Sequence, residues 1–105
     1  MELRQFTYVD MVAACGSFTK AAAKLFISQP ALSNYIGKVE EELGVKLFDR
    51  SSTPLTLTYA GEQYLKRARV ILGQIYEMDK EIRDITQNMK GKIRLGFPSE
   101  RIIYM

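Results

Sequence analysis

Residues 17–37 read SFTKAAAKLFISQPALSNYIG and contain two helix starts that are separated by a short turn. Ser17 is a favoured helix N-cap and precedes an alanine-rich run with high helix propensity. Ser28 is a second N-cap candidate, and Pro30 lies in the first turn that follows, where its missing N–H leaves no hydrogen bond unmade. Because so short a turn makes two helices cross steeply, the stretch predicts a helix-turn-helix over about residues 18–37.

The segments on either side extend this motif into a three-helix core. Apolar residues recur at helical spacing from Leu3 to Ala13, and Gly16 is suited to the left-handed end of that first helix. The second helix of the motif continues its apolar stripe to Leu43, where Gly44 is expected to end it. Three helices are therefore predicted before residue 45.

Residues 45–58, VKLFDRSSTPLTLT, change to an apolar alternation around a turn-forming centre. This pattern predicts a two-stranded hairpin, or wing, and Thr58 is a candidate N-cap for the helix that follows. The predicted fold class is mainly α: a winged helix-turn-helix over residues 1–58 with a two-stranded wing, followed by a long linker helix over residues 59–90.

The linker helix carries an apolar stripe of its own. Residues 59–89 lack proline, contain only Gly61 and Gly73 as weak points, and would form a helix of roughly 45 Å. Its apolar positions alternate steps of four and three, as in a coiled coil. The alternative is a helix packed on its own domain, but 58 preceding residues cannot cover so long a stripe. We therefore predict a homodimer, or a tetramer, and refer to these positions as the seam: Tyr64, Ala68, Ile71, Ile75, Met78, Ile82, Ile85 and Met89.

The last segment suggests a second domain. Gly91 is expected to end the linker helix, and residues 92–97 alternate like a strand that stops at Pro98. A lone strand has no sheet to join, so we expect residues 91–105 to be the first strand of a domain that is truncated here.

Composition disfavours catalysis. The chain has no histidine and a single cysteine, Cys15, so the usual general base and a cysteine-histidine zinc site are both excluded. The carboxylates of Glu40, Glu41 and Glu42 lie in a charged helical run that we interpret as solvated surface. We expect no enzyme activity, no metal and no cofactor in this segment. Residues 1–15 resemble neither a signal peptide nor a membrane span, which indicates a cytoplasmic protein without membrane association.

Side chains near the start of the second helix of the motif could read DNA. A helix-turn-helix presents this N-terminus to the major groove, where Ser28, Gln29, Ser33 and Asn34 would be available if Leu32 and Ile36 point inward. Gln and Asn suit adenine, and Ser can donate or accept. The less specific interpretation is that Ser28 and Pro30 only begin a helix. Since residues 1–58 carry six basic and six acidic side chains, DNA attraction must be local.

Four motifs resemble the LysR-type transcriptional regulators: SFTxAA at 17–22, SQPALS at 28–33, ExELGVxLFxR at 40–50 and LTxAG at 57–61. The similarity runs from Leu3 to about Leu65. It implies an N-terminal winged helix-turn-helix, a dimerising linker helix and a larger C-terminal domain that binds a small-molecule effector. The expected strand at residues 92–97 is similar to the beginning of that effector domain. The base-contacting positions of the family correspond here to Gln29, Pro30, Ser33 and Asn34.

The chain departs from the family pattern at two places. Asn34 stands where the family commonly has arginine, and the wing tip, residues 51–54, lacks the basic residue that often enters the minor groove. Both changes remove attraction for phosphate, so joining two domains becomes more important for affinity. The expected partner is double-stranded DNA with dyad symmetry; the alternative is a protein-interaction module that acts through the seam. The predicted DNA-binding residues are Ser17, Thr19, Ser28, Gln29, Pro30, Ser33, Asn34, Lys38, Arg50 and Thr53.

Overall fold

The computed structural model describes the backbone of residues 1–94 and the side chains of residues 1–89. Four helices and two strands follow one another in these residues: α1 Leu3–Cys15, α2 Phe18–Leu25, α3 Gln29–Leu43, β1 Phe48–Asp49, β2 Thr56–Leu57 and α4 Tyr59–Arg94. The chain divides into two compact units, Met1–Leu72 and Gly73–Met105. The mainly helical, winged architecture predicted from the sequence is confirmed.

Local capping signals set the helix boundaries of the first unit. The Ser17 Oγ accepts a hydrogen bond from the Lys20 N–H at 3.2 Å, and the Ser28 Oγ accepts one from the Ala31 N–H at 3.2 Å. Helix α1 ends at Gly16 with φ of 63°, a left-handed conformation that glycine adopts without steric cost. The predicted helix starts at both serines are confirmed.

Helix α2 ends at Leu25 without a glycine. Phe26, the next residue, adopts a left-handed conformation with φ of 60°, and its N–H donates to the carbonyls of Ala22 and Ala23. A non-glycine residue is uncommon in this conformation. The Phe26 side chain is exposed, so the turn of the helix-turn-helix presents an aromatic ring to solvent.

The core of the first unit lies where α1, α2 and α3 meet. Val9 and Val12 of α1 pack with Ala21 of α2 and with Leu32 and Ile36 of α3. The small alanine side chains allow close approach of α2, while each fully buried valine, leucine or isoleucine contributes roughly 1.5–3 kcal/mol. Burial of Leu32 and Ile36 fixes the rotation of α3 and therefore decides which of its side chains face outward.

The wing is shorter than the alternating segment from which it was predicted. Strands β1 and β2 are antiparallel, with Phe48 opposite Leu57. The Thr58 Oγ1 accepts a hydrogen bond from the Gly61 N–H at 3.0 Å and donates one to the Lys46 carbonyl at 2.6 Å. The predicted cap at Thr58 is thereby confirmed, and it also ties the start of α4 to the residues before β1.

Two predictions about the linker helix need correction. Helix α4 continues through Gly91 to Arg94, so Gly91 does not end it and no strand begins at Lys92. A single helical glycine costs only about 1 kcal/mol relative to alanine, which neighbouring helix formers can offset. Residues 95–97 of the expected strand lie outside the described residues.

Among the described residues, no helix is both long and apolar enough to cross a membrane.

The first two positions of the seam pack within the chain. Ala68 is fully buried, and Tyr64 packs against the core with its ring centroid 5.8 Å from that of Phe6. Arg69 adds an ion pair to Asp10, with Nε and Oδ1 3.0 Å apart. The intermolecular role predicted for Ala68 is therefore wrong in this arrangement, because the domain's own core already covers its side chain. Tyr64 is half-buried by the same packing.

Candidate nucleic-acid interface

The N-terminal half of α3 presents polar side chains to solvent. Ser28, Gln29, Pro30 and Asn34 are all exposed, and Ser33 is half-buried. Their orientation follows from the burial of Leu32 and Ile36 on the opposite side of the helix. The outward set predicted from the sequence is therefore the one that the fold makes available for contact with a ligand.

Ser33 is held by a residue from the wing. Arg50, which follows β1, donates a hydrogen bond from Nη1 to the Ser33 Oγ at 2.9 Å. Its Nη2 lies 3.3 Å from Oε1 of Glu40, and its guanidinium carbon lies 4.6 Å from the centre of the Phe18 ring. Arg50 thus connects residues of α2 and α3 to the wing, beyond the DNA contact that was predicted for it.

Glu40 is buried and structural, so its interpretation as solvated surface was wrong. Its Oε2 accepts hydrogen bonds from the backbone N–H groups of Leu47 at 2.7 Å and Phe48 at 3.3 Å. Hydrogen bonds to a carboxylate are stronger than those between neutral groups. The missed signal is spacing: Glu40 follows Leu32 and Ile36 in steps of four and therefore lies on the buried stripe of α3.

An open surface depression brings four predicted DNA-binding residues together: Ser33, Asn34, Lys38 and Arg50. Lys46 and Glu41 also line it. Lys38, Lys46 and Arg50 carry positive charge here and Glu41 carries negative charge. The Glu40 carboxylate offsets Arg50, so one positive charge remains in excess and attracts anions locally, although residues 1–58 have no net charge. Ser and Asn side chains supply hydrogen-bonding groups beside that charge.

The remaining predicted contacts lie elsewhere on the first unit. Ser17 uses its hydroxyl to cap α2, and Thr19 is exposed in the first turn of that helix. Thr53 is exposed at the wing tip and does not line the depression.

The wing also carries an acidic side chain, Asp49. Hydrogen bonds from the Ser51 side chain and backbone hold the pKa of the Asp49 carboxyl below its ordinary value. The Asp49 carboxyl in β1 is therefore negatively charged at neutral pH.

Several apolar side chains of α4 remain exposed. Ile71 in the first unit is 38% exposed, and in the second unit Ile75, Met78 and Ile82 are 37%, 60% and 56% exposed. Ile85 and Met89 are half-buried. Val70 and Tyr76, which are not part of the seam, are exposed as well. The described chain therefore leaves several large apolar side chains of α4 exposed to solvent. No cluster of three or more potential metal-binding side chains occurs in residues 1–89.

Comparison with known proteins connects this geometry to a family. The family model of bacterial regulatory helix-turn-helix proteins of the lysR family matches residues 3–62. A probable cat1 operon transcriptional activator of Acinetobacter lwoffii is 40% identical over 97 residues, which are 92% of this chain and 32% of that protein. The transcriptional regulator BsdA of Bacillus subtilis is 38% identical over 97 residues, 91% of this chain and 33% of BsdA. The chain thus spans about a third of the length of these relatives.

Solved structures agree with the sequence relatives. The BenM DNA-binding domain in complex with catB site 1 DNA matches with a TM-score of 0.80 and 40% identity, over 84% of this chain and 95% of that domain. BenM is a regulator of Acinetobacter baylyi. The CbnR DNA-binding domain in complex with DNA matches with a TM-score of 0.72 and 37% identity, over 80% and 97% of the two chains. With its motifs, its winged helix-turn-helix and these relatives in agreement, the chain belongs to the lysR family of bacterial regulatory helix-turn-helix proteins.

Proposed function

We propose that this chain is the sequence-specific DNA-binding part of a dimeric bacterial transcription regulator, with the N-terminal half of α3 in the major groove. One observation carries the proposal: Leu32 and Ile36 are fully buried, so Gln29 and Asn34 face outward beside the basic depression. A recognition helix needs such an arrangement, because base edges are read by side chains near its N-terminus. The DNA-bound BenM and CbnR domains support it by similarity.

The contacts divide by chemistry into two groups. Gln29 and Asn34 can each form paired hydrogen bonds with adenine, and Ser33 can bond to a base edge. Lys38 and the first turn of α2, with Ser17 and Thr19, suit phosphate oxygens, since a helix N-terminus attracts anions. Thr53 at the wing tip would add a neutral contact to the DNA backbone. Sequence preference is therefore expected from α3 and general affinity from the surrounding groups.

Dimerisation is proposed to use the seam from Ile71 to Met89, whose side chains are exposed or half-buried. Burial of large apolar side chains is the main driving force for association. Two winged domains held by one dimer bind DNA with a high effective local concentration, which predicts a target with dyad symmetry. A tetramer of two dimers is compatible with the same surface. For a full-length regulator, the family resemblance implies a C-terminal domain that binds a small-molecule effector. The proposed location is the cytoplasm.

A mobility-shift assay separates this function from a protein-interaction module. The chain is incubated with duplexes selected from a random library, at low and moderate salt, with an excess of scrambled competitor. Specific complexes should survive the competitor, because specific affinity typically exceeds non-specific affinity by about 10³-fold or more. Loss of all complexes to the competitor would instead favour an interaction module that acts through α4.

A further inference from the structure

We propose that Arg50 is a positioning residue for DNA recognition: it commits the Ser33 hydroxyl to donating its hydrogen bond to an acceptor atom on a base. This inference rests on the proposed DNA-binding function and deepens it. A serine hydroxyl alone can either donate or accept, so it discriminates poorly between base edges. The structure supplies a reason for it to do only one of these.

The guanidinium of Arg50 contacts three groups of the protein, although its side chain is 39% exposed. Its Nη2 pairs with Glu40, its face lies over the Phe18 ring, and its Nη1 donates to Ser33. Glu40 is itself buried and anchored by the backbone N–H groups of Leu47 and Phe48. The planar fork of arginine holds such a geometry where a flexible ammonium group would not. These contacts orient the Nη1 donor of Arg50 toward Ser33.

The donor and acceptor atoms of the two side chains determine the role of Ser33. Arginine has donors and no acceptor, so the Ser33 Oγ must be the acceptor in the 2.9 Å hydrogen bond. No second partner of this hydroxyl occurs among the side chains and backbone groups of residues 1–89, so its proton stays available. The positive charge beside Oγ disfavours a further donor. Ser33 and Arg50 both line the open depression next to Asn34, where an incoming base edge would meet them.

The expected ligand atoms are the acceptors of the major groove: purine N7, guanine O6 and thymine O4. Amino groups of cytosine and adenine are disfavoured at the same place, because Arg50 already uses one lone pair of the Ser33 Oγ and its positive charge repels amino hydrogens that approach the other. This role differs from a direct contact between Arg50 and DNA, since part of the Arg50 hydrogen-bonding capacity is already used by Glu40 and Ser33.

The test compares base preferences rather than affinity alone. Wild type selects an operator from a random duplex library, and dissociation constants are then measured on this operator and on versions with single base-pair changes. Four proteins are used: wild type, Ser33→Ala, Arg50→Met and the double variant. Ser33→Ala should reduce discrimination at one base pair by about 2- to 12-fold, the size of one net hydrogen bond. Arg50→Met should reduce discrimination at the same pair, and the double variant should lose little more.

Controls separate this role from a structural one. Thermal unfolding reports on the fold of each variant. If Arg50→Met unfolds, Arg50→Lys replaces it in the test, because lysine keeps a cation beside Glu40. Arg50→Lys should also lose discrimination at the same base pair. Unchanged base preference in Ser33→Ala, or in a folded Arg50 variant, would overturn the inference. A uniform loss on every sequence would place these groups on phosphate and would overturn it too. If wild type enriches no operator, the proposed function itself fails, which is a different result.

Discussion

The carboxylate of Glu40 accepts a hydrogen bond of 2.7 Å from the backbone N–H of Leu47, joining the end of the recognition helix to the start of the wing. The same carboxylate binds the Phe48 N–H and the Arg50 guanidinium. One buried side chain therefore satisfies two backbone donors and one cation. The position of the wing relative to α3 depends on it.

Replacement of Glu40 by alanine should destabilise the first unit by about 2–4 kcal/mol, because it leaves buried donors without a partner and removes the counter-charge of Arg50. Urea unfolding followed by circular dichroism measures the change. Glu41→Ala is the matched control: the neighbouring glutamate is exposed, so its loss should stay within about 0.5 kcal/mol. Equal effects of the two substitutions would contradict the structural role of Glu40.

Tyr64→Phe should stabilise the protein at pH 7 by about 1 kcal/mol. The Tyr64 hydroxyl is buried and has no hydrogen-bond partner among the described residues, so its removal relieves a desolvation cost. The exposed Tyr59 provides the control, since Tyr59→Phe should leave stability at pH 7 unchanged.

Tyr64→Phe should also alter how the unfolding free energy depends on pH in the alkaline range. Burial raises the pKa of Tyr64 above its ordinary value of 10.0. Because the folded pKa is the higher one, the unfolded state loses the Tyr64 proton first. The unfolding free energy therefore begins to fall near pH 10 and continues to fall until the pH passes the folded pKa. Unfolding free energies measured from pH 8 to 12 should fall less steeply in Tyr64→Phe than in wild type. Parallel curves would show that Tyr64 titrates alike in both states.

Gly61→Ala should destabilise the first unit by about 2–3 kcal/mol or more. A Cβ at this position would lie 1.9 Å from the Leu47 carbonyl oxygen and 2.9 Å from Cδ2 of Leu57, so the backbone must shift. Gly37→Ala is the matched helical control: its Cβ meets nothing within 4 Å, and helix propensity should then stabilise α3 by up to about 1 kcal/mol. Thermal melts of both variants test this, and a tolerated Gly61→Ala would refute the close approach.

Local signals explain which parts of this fold could be predicted. Ser17, Ser28 and Thr58 were identified as caps because capping depends on residues within one turn. The contacts of Glu40 and the crowding at Gly61 were missed, because both involve Leu47, which only the tertiary fold brings close to these two residues. The outward placement of Gln29 and Asn34 followed from helical period alone. Continuation of α4 through Gly91 was missed because a glycine weakens a helix without having to end it.

Ile75→Asp should prevent dimerisation. Ile75 is an exposed large apolar residue in the part of α4 that belongs to the second unit, and a charge there cannot be buried in an apolar interface without a high cost. Analytical ultracentrifugation should show a monomer, and affinity for a two-half-site operator should fall towards that of one half-site. Gln87→Asp, which adds the same charge at an exposed position on the face of α4 opposite the seam, should remain dimeric. A dimeric Ile75→Asp with full operator affinity would place the interface elsewhere.

Base readout by Gln29 tests the central role of α3 most directly. Dissociation constants are measured on the selected operator and on a scrambled duplex for three proteins: wild type, Gln29→Ala and Gln63→Ala. The last is the control, because it removes an exposed glutamine from α4. Gln29→Ala should weaken operator binding by about 1–3 kcal/mol per half-site and leave scrambled DNA nearly unaffected. Gln63→Ala should bind both duplexes like wild type. Equal losses of Gln29→Ala on the two duplexes, or no loss on the operator, would contradict recognition of DNA sequence by this face of α3.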